Sequence, residues 1–144
     1  MLVSQVLKDK GDVVFTASPH ETLSAAAAMM HRQRIGALVV VDANDAIVGI
    51  LTERDVVKAV AEKGAAAVTA EPISTCMTKD VVFAAPNELV QSLLLRMTDR
   101  RTRHLPVVND GRLVGIVSIG DLVKSKIAET EAEADALKAY IVAG

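Results

Sequence analysis

Gly49-Ile50-Leu51-Thr52-Glu53-Arg54-Asp55 returns 66 positions later as Gly115-Ile116-Val117-Ser118-Ile119-Gly120-Asp121. Each stretch reads Gly, Ile, an apolar residue, a hydroxyl, two variable positions and Asp. The offset is the same at both ends of the stretch, so the chain holds an internal duplication and carries one hydroxyl–carboxylate pair in each half. The repeat reaches outward. Val13-Val14-Phe15 returns as Val81-Val82-Phe83, Pro19 as Pro86 with Glu two residues later in each case, and Val39-Val40 as Val107-Val108. The offset drifts between 66 and 68, which places small insertions in turns: Asp42–Asp45 is the longer turn and Asn109–Gly111 the shorter. Solenoid repeats run to about 20–50 residues. This period is longer, and two copies of a small domain is the reading.

A unit of roughly 65 residues has little core of its own, so the two copies are expected to fold together. Aromatic residues make up only 2% of the 144-residue chain, which leaves Val, Leu, Ile, Ala and Met to build the core. That suits strands covered by helices. The net charge of −2 gives no general attraction to nucleic acid. Cys76 is the only cysteine, so no intrachain disulfide can form and a reducing compartment is expected. The start, Met1-Leu2-Val3-Ser4, lacks the basic residues and long apolar core of a signal peptide. No apolar run approaches the ~18–20 residues of a membrane span. A cytoplasmic protein is the expectation.

Along the chain, Ser4 is placed to cap a short helix over Gln5–Lys8 that Gly11 ends. Val13–Phe15 reads as a strand. Ser18-Pro19-His20-Glu21 reads as a helix start with a capping box, and the helix runs to about Gln33. Ala37–Asp42 and Ile47–Leu51 form a hairpin. Thr52 caps a helix to about Lys63, and Gly64 to Pro72 is the connection. The second copy repeats the order: an opening helix near Ile73–Met77, strand Val81–Phe83, helix Asn87–Arg100, strands Leu105–Val108 and Leu113–Val117, and helix Gly120–Ile127. A charged amphipathic helix covers Glu129–Val142. The expected fold class is α/β (α+β), with two β-α-β-β-α repeats over 1–70 (including the opening helix) and 71–127, and a C-terminal helix over 128–144.

Tandem strand–helix–strand–strand–helix units, each closed by Gly-x-x-[Thr/Ser]-x-x-Asp, resemble the CBS domain pair, or Bateman module. Arg103-His104-Leu105-Pro106-Val107-Val108 is similar to the second strand of that family, and Ser118–Lys124 is also common there. The resemblance covers about residues 3–127 and, with no catalytic domain attached, implies a stand-alone regulatory module rather than an enzyme.

The chemistry at the repeated motif suits a nucleotide. The first N–H groups of a helix lack intrahelical partners and favour an anion. Thr52 and Ser118 sit where a hydroxyl can cap a helix and donate to phosphate. Asp55 and Asp121, one turn on, can accept from a ribose diol. The bland alternative is that these residues only cap helices. The resemblance implies clefts between repeats, the motif coming from one repeat and second-strand residues from the other. One cleft then joins Thr52, Arg54 and Asp55 to Arg103, His104 and Pro106. The other joins Ser118, Gly120 and Asp121 to Ile35, Gly36 and Ala37. Thr16 and Ala84 would meet the base through backbone groups. The first cleft carries cations for phosphate; the second, with Gly36 and Gly120, offers room but little charge.

AMP, ATP or NAD(H) is the expected ligand, with S-adenosylmethionine disfavoured because a sulfonium does not need the basic cleft. The competing functions are a structural dimerisation module without ligand and a nucleotide-using enzyme. Arg96 and Arg100 read as a solvated helix face or, less simply, a phosphate funnel. Nucleic-acid binding is not expected, since no aromatic residues interleave with the cations, and His20, His31 and His104 lack metal-ligand spacing. No catalytic nucleophile–base pair or phosphate loop is visible. A mean hydropathy of +0.33 and 51% hydrophobic residues point to a homodimer, with module helices packed against a second copy and the C-terminal helix clasping it. A regulated protein, unnamed by the sequence, would read the ligand state.

Overall fold

Thr52 closes a strand and opens a helix, and Ser118 does the same in the second half. The two ends of the repeated motif therefore anchor corresponding parts of the fold. The structure, a computed structural model, describes all residues from 1 to 144. The chain divides into two compact units, Val14–Val81 and Met1–Val13 together with Val82–Gly144.

In the Val14–Val81 unit, β1 (Thr16–Ala17) runs parallel to β2 (Ala37–Val41), joined through α2 (Leu23–Gln33). Strand β2 then pairs antiparallel with β3 (Ile47–Thr52), with Ala37 opposite Thr52 and a bulge at Val40/Val41. Asp42 shapes the hairpin turn, its carboxylate accepting the N–H groups of Asn44 and Ala46. Helices α3 (Glu53–Lys63) and α4 (Ala65–Val68) follow. Leu23, Ala26 and Met30 form the apolar stripe of α2 and pack with Leu38, Val40, Leu51 and Ala59. A single 3₁₀ turn, Ile73–Thr75, adds the buried Ile73 to this core.

The other unit begins with α1 (Val3–Lys10), whose Val3, Val6 and Leu7 enter a core with residues of α5 (Val90–Arg100), β4 (His104–Asn109) and β5 (Arg112–Ser118). Strands β4 and β5 pair antiparallel, His104 opposite Ser118. Ala84 touches β4 through one parallel bridge to Val107. Helix α6 (Ile119–Ala143) closes the unit and buries Leu122.

Each repeat's opening segment is stitched to the loop ahead of the other repeat's first long helix. Val3 and Ser4 donate their N–H groups to the carbonyls of Glu88 and Pro86, at 2.9 and 2.8 Å. Ile73 and Ser74 donate to Glu21 and Pro19, at 2.8 and 3.0 Å. This exchange explains the motif glycines. A Cβ on Gly115 would come within 2.6 Å of Leu7 Cδ2, and one on Gly49 within 2.5 Å of Met77 Sδ.

Several sequence expectations change. The opening helix packs in the second repeat's unit, not with residues 14–70, because its apolar stripe meets the β5 face at Gly115. Helix α2 starts after Thr22, whose hydroxyl accepts the Ala25 N–H, rather than at Ser18. The carbonyls of Pro19 and Glu21 serve the exchanged segment and are not spent inside a helix. The same use of Pro86 and Glu88 delays α5 to Val90. The first strand of the first copy shifts to Thr16–Ala17, and Val81–Phe83 forms no strand, leaving only the bridge at Ala84. The expected break at 128 is absent. No Gly or Pro falls between Gly120 and Gly144, and α6 runs unbroken for 25 residues.

Candidate functional site

The hydroxyl and carboxylate of each motif bond reciprocally across the helix start. Thr52 Oγ1 accepts the Asp55 N–H at 3.3 Å, and Asp55 Oδ2 accepts the Thr52 N–H at 3.0 Å. Ser118 Oγ accepts the Asp121 N–H at 3.1 Å, and Asp121 Oδ2 accepts the Ser118 N–H at 2.9 Å. These are capping boxes with Asp in place of the usual Glu. The capping role is therefore real, and the question is what remains to bind a ligand.

Three features remain at each helix start. Glu53 donates its N–H to Gly36 O (3.1 Å) and Ile119 donates to Arg103 O (2.8 Å). The cap hydroxyls take the N–H groups of Asp55 and Asp121. The N–H groups of Arg54 and Gly120 sit in the first turn of each helix, where no intrahelical carbonyl is available to them. The hydroxyls act here as acceptors, so their own protons are free to be donated. Finally, Asp121 takes its bonds on Oδ2, leaving Oδ1 open, and each carboxylate has lone pairs beyond those used.

The segments that opened the exchange also reach the carboxylates. Lys10 Nζ lies 2.6 Å from Asp121 Oδ2 and 2.7 Å from the carbonyl of Ile116. Burial alone would raise the Asp121 carboxyl; the Lys10 hydrogen bond, the Ser118 N–H and the lysine charge outweigh it and hold it below the usual carboxylate range. In the other unit Thr78 Oγ1 donates to Asp55, at 3.1 Å to Oδ1. The two motifs thus differ: one carboxylate meets a cation, the other a neutral hydroxyl. Sequence reasoning missed both Lys10 and Thr78. The sequence's only hint was their place on the opening segments of the two copies.

Within the Val14–Val81 unit the structure brings Thr52, Arg54 and Asp55 beside Ile35, Gly36 and Ala37, through the Glu53–Gly36 bond and the Ala37–Thr52 register. Within the other unit Ser118, Gly120 and Asp121 stand beside Arg103 and His104, through the Ile119–Arg103 bond and the His104–Ser118 register. Pro106 is buried in β4 opposite Ile116. Arg54 and Arg103 are exposed. Thr16 is exposed and paired with Val39. Ala84 lies in the parallel bridge: its N–H donates to Pro106 O and its carbonyl accepts the Val108 N–H, both at 2.9 Å.

Arg96 belongs to the scaffold and not to a phosphate funnel. It forks onto Glu88, at 2.9 and 2.5 Å, and also bonds Phe83 O at 2.8 Å. Glu88 in turn accepts the Ala85 N–H. The Arg96 hydrogen bond is the main reason the Glu88 carboxyl is held below its ordinary range, against the opposing effect of burial.

Comparison with known proteins agrees with this architecture. The family profile described as "CBS domain" matches residues 6–62 and 73–127. A CBS-domain containing protein from Agrobacterium tumefaciens is 46% identical, with a TM-score of 0.84 over 87% of this chain and 92% of its own. The mitochondrial CBS domain-containing protein CBSX3 of Arabidopsis thaliana is 33% identical over 99% of this chain and 72% of its own length. The CBS domain pair of protein MJ0100, solved in complex with 5′-methylthioadenosine and S-adenosyl-L-methionine, is 28% identical, with a TM-score of 0.79 over 90% of this chain and 98% of its own. No helix is long and apolar enough to cross a membrane.

Proposed function

The chain belongs to the CBS domain family as a tandem pair, and from that premise we propose that this regulatory module senses an adenosine-containing molecule held at its repeated motifs. The observation that carries the reading is the duplicated helix start. Each offers a first-turn N–H, a hydroxyl that accepts at the cap and has a proton to donate, and an aspartate with spare acceptor capacity. A phosphate or ribose uses this combination of donors and acceptors.

The ligand we favour is AMP, ATP or NAD(H). The motif at Thr52 carries Arg54, and Arg103 and His104 stand beside the motif at Ser118, so each helix start has a cation near it for phosphate. Lys10 beside Asp121 adds a further cation at the Ser118 motif. The complex reported for the MJ0100 pair supports the adenosine part, which its two ligands share with the nucleotides. S-adenosylmethionine and methylthioadenosine therefore belong in any screen. The module acts as a homodimer in the cytoplasm, and a regulated protein reads the change in its ligand-bound population.

Mass spectrometry of small molecules released from purified protein tests the reading. An adenosine-containing compound near stoichiometric amount is the expected result. A nucleotide that is consumed on incubation would make the chain an enzyme instead. Release of no such compound, with no uptake of any adenosine ligand added afterwards, would leave a structural dimerisation module.

A further inference from the structure

Helix α6 outruns its own unit. It spans 25 residues, about 37 Å at 1.5 Å per residue. Leu122 is fully buried and Ser125, Lys126 and Glu129 are partly covered, but every residue from Thr130 onward is exposed. A polar helix could stand free in this way, but this one carries an apolar seam along its whole length. Val123, Ile127, Thr130, Ala134, Leu137 and Ile141 follow an alternating four–three spacing. That is the spacing of positions d and a in a heptad, with Ile127, Ala134 and Ile141 at a. The large members are all uncovered, at 42% for Val123, 54% for Ile127, 60% for Leu137 and 66% for Ile141. The seam lies roughly a third of a turn away from the face that Leu122 buries, at 100° per residue, so it does not compete with the unit's core.

We propose that this seam pairs with the same seam of a second copy of the chain, the two helices running parallel as a two-stranded coiled coil. Two arguments select this occupant and this direction. The first is charge. In a parallel pair each g position faces the e position five residues on in the partner helix. Lys126 then faces the partner's Glu131, and Glu133 faces the partner's Lys138, so both kinds of contact are attractive. The antiparallel register that overlays all six seam positions sets Glu131 against the partner's Glu131, Glu133 against the partner's Glu133, and Lys124 against the partner's Lys138. Every one of those charge contacts is repulsive. The second argument is shape. β-Branched residues at a with Leu at d favour two parallel strands, and Ile127, Ile141 and Leu137 occupy those places. Lys126 can turn outward, because its partly buried i,i+3 bond to Glu129 is long (3.2 Å) and Glu129 keeps the Met1 ammonium at 2.7 Å.

The inference deepens the homodimer reading and is independent of ligand binding. Sedimentation equilibrium of the full chain at micromolar concentration should give a dimer. Leu137→Asp with Ile141→Asp, at exposed positions, should give a folded monomer by circular dichroism and mass. Lys126→Glu should weaken the dimer about tenfold by opposing the partner's Glu131, and Lys126→Glu with Glu131→Lys should restore it. In a Cys76→Ser chain, Leu137→Cys should form a disulfide with its own copy, as only the parallel arrangement brings these positions together. A wild-type monomer would overturn the proposal together with the homodimer. A dimer indifferent to the Leu137 and Ile141 substitutions would overturn the coiled coil alone, placing the contact on the module helices. A charge pair that fails to rescue, or a Leu137→Cys chain that does not cross-link, would overturn the parallel direction.

Discussion

Lys10, on the first helix of the chain, holds Asp121 at the last: its Nζ stands 2.6 Å from Oδ2, and the same ammonium bonds the carbonyl of Ile116 at 2.7 Å. This contact spans nearly the whole sequence, yet it lies within one compact unit because the opening helix packs in the second repeat's unit. It makes the carboxylate of the second motif chemically different from Asp55, whose corresponding neighbour is the Thr78 hydroxyl.

The first prediction concerns acid stability. The folded Asp121 carboxyl is depressed, so its contribution is fully present above the ordinary aspartate range and is lost as pH falls through the lower folded value. Lys10→Met should remove about 1 kcal/mol at neutral pH, since the pair is partly exposed. It should also flatten the stability profile below about pH 4. Urea melts across pH check both. An unchanged acid slope in the variant would assign that slope to other carboxylates.

Glu88 adds a second acid-sensitive contact with the same sign. Arg96 depresses its carboxyl, so the stabilisation disappears as pH falls through the folded value. Arg96→Ala should cost about 1 kcal/mol, because it frees Glu88 and leaves the Phe83 carbonyl to water, in a pair that is partly exposed. Arg96→Lys should recover only part of this, lacking the fork. The measurement is the urea midpoint at constant slope.

A third expectation concerns the motif glycines. Gly49→Ala and Gly115→Ala should each destabilise by about 1–3 kcal/mol through overpacking. Gly49→Ala should be the more costly, since its new Cβ would also lie 3.0 Å from the Thr78 carbonyl, which is backbone and yields less than a side chain. Gly115→Ala meets only the tip of Leu7. Thermal melts of the two variants, with Leu7→Ala as partner to the second, give the comparison.

Much of this architecture was legible in the sequence because the duplication carried it. The hairpins, the caps at Thr52 and Ser118 and the stops at Gly11 and Gly64 are local chemistry, and they fall where the residues place them. What sequence reading missed was long-range. Ser18-Pro19-His20-Glu21 has every local sign of a helix start, but its carbonyls are claimed by Ile73 and Ser74. Lys10 gives no sign, in its own neighbours, of a partner 111 residues away. The bridge from Ala84 to β4 is long-range in the same way. The repeat did hold the needed clue in its glycines, which stand where another segment comes close.

The fourth prediction separates phosphate recognition from pocket shape. Arg103→Ala and His104→Ala should weaken AMP, ATP and NAD(H) by about 1.5–3 kcal/mol while leaving adenosine within about 0.5 kcal/mol, as expected for charge-assisted bonds to an anion. Arg54→Ala should behave alike. Equal losses for AMP and adenosine would mean that these residues shape the site and do not neutralise charge.

The most direct measurement is a calorimetric titration of the chain with AMP, ATP, NAD(H), S-adenosylmethionine and methylthioadenosine. It should be made on the wild type and on Asp55→Asn and Asp121→Asn, which keep a capping acceptor but remove the charge. We predict binding of at least one ligand in the micromolar to millimolar range, about −4 to −8 kcal/mol. Each aspartate substitution should weaken one site by about 1.5–3 kcal/mol; Asp55→Asn should leave the melting temperature nearly unchanged, while Asp121→Asn should lower it by the few degrees expected for loss of the Lys10 ion pair. Binding of none of the five ligands, or binding that both substitutions leave untouched, would contradict an adenosine sensor built on the repeated motif.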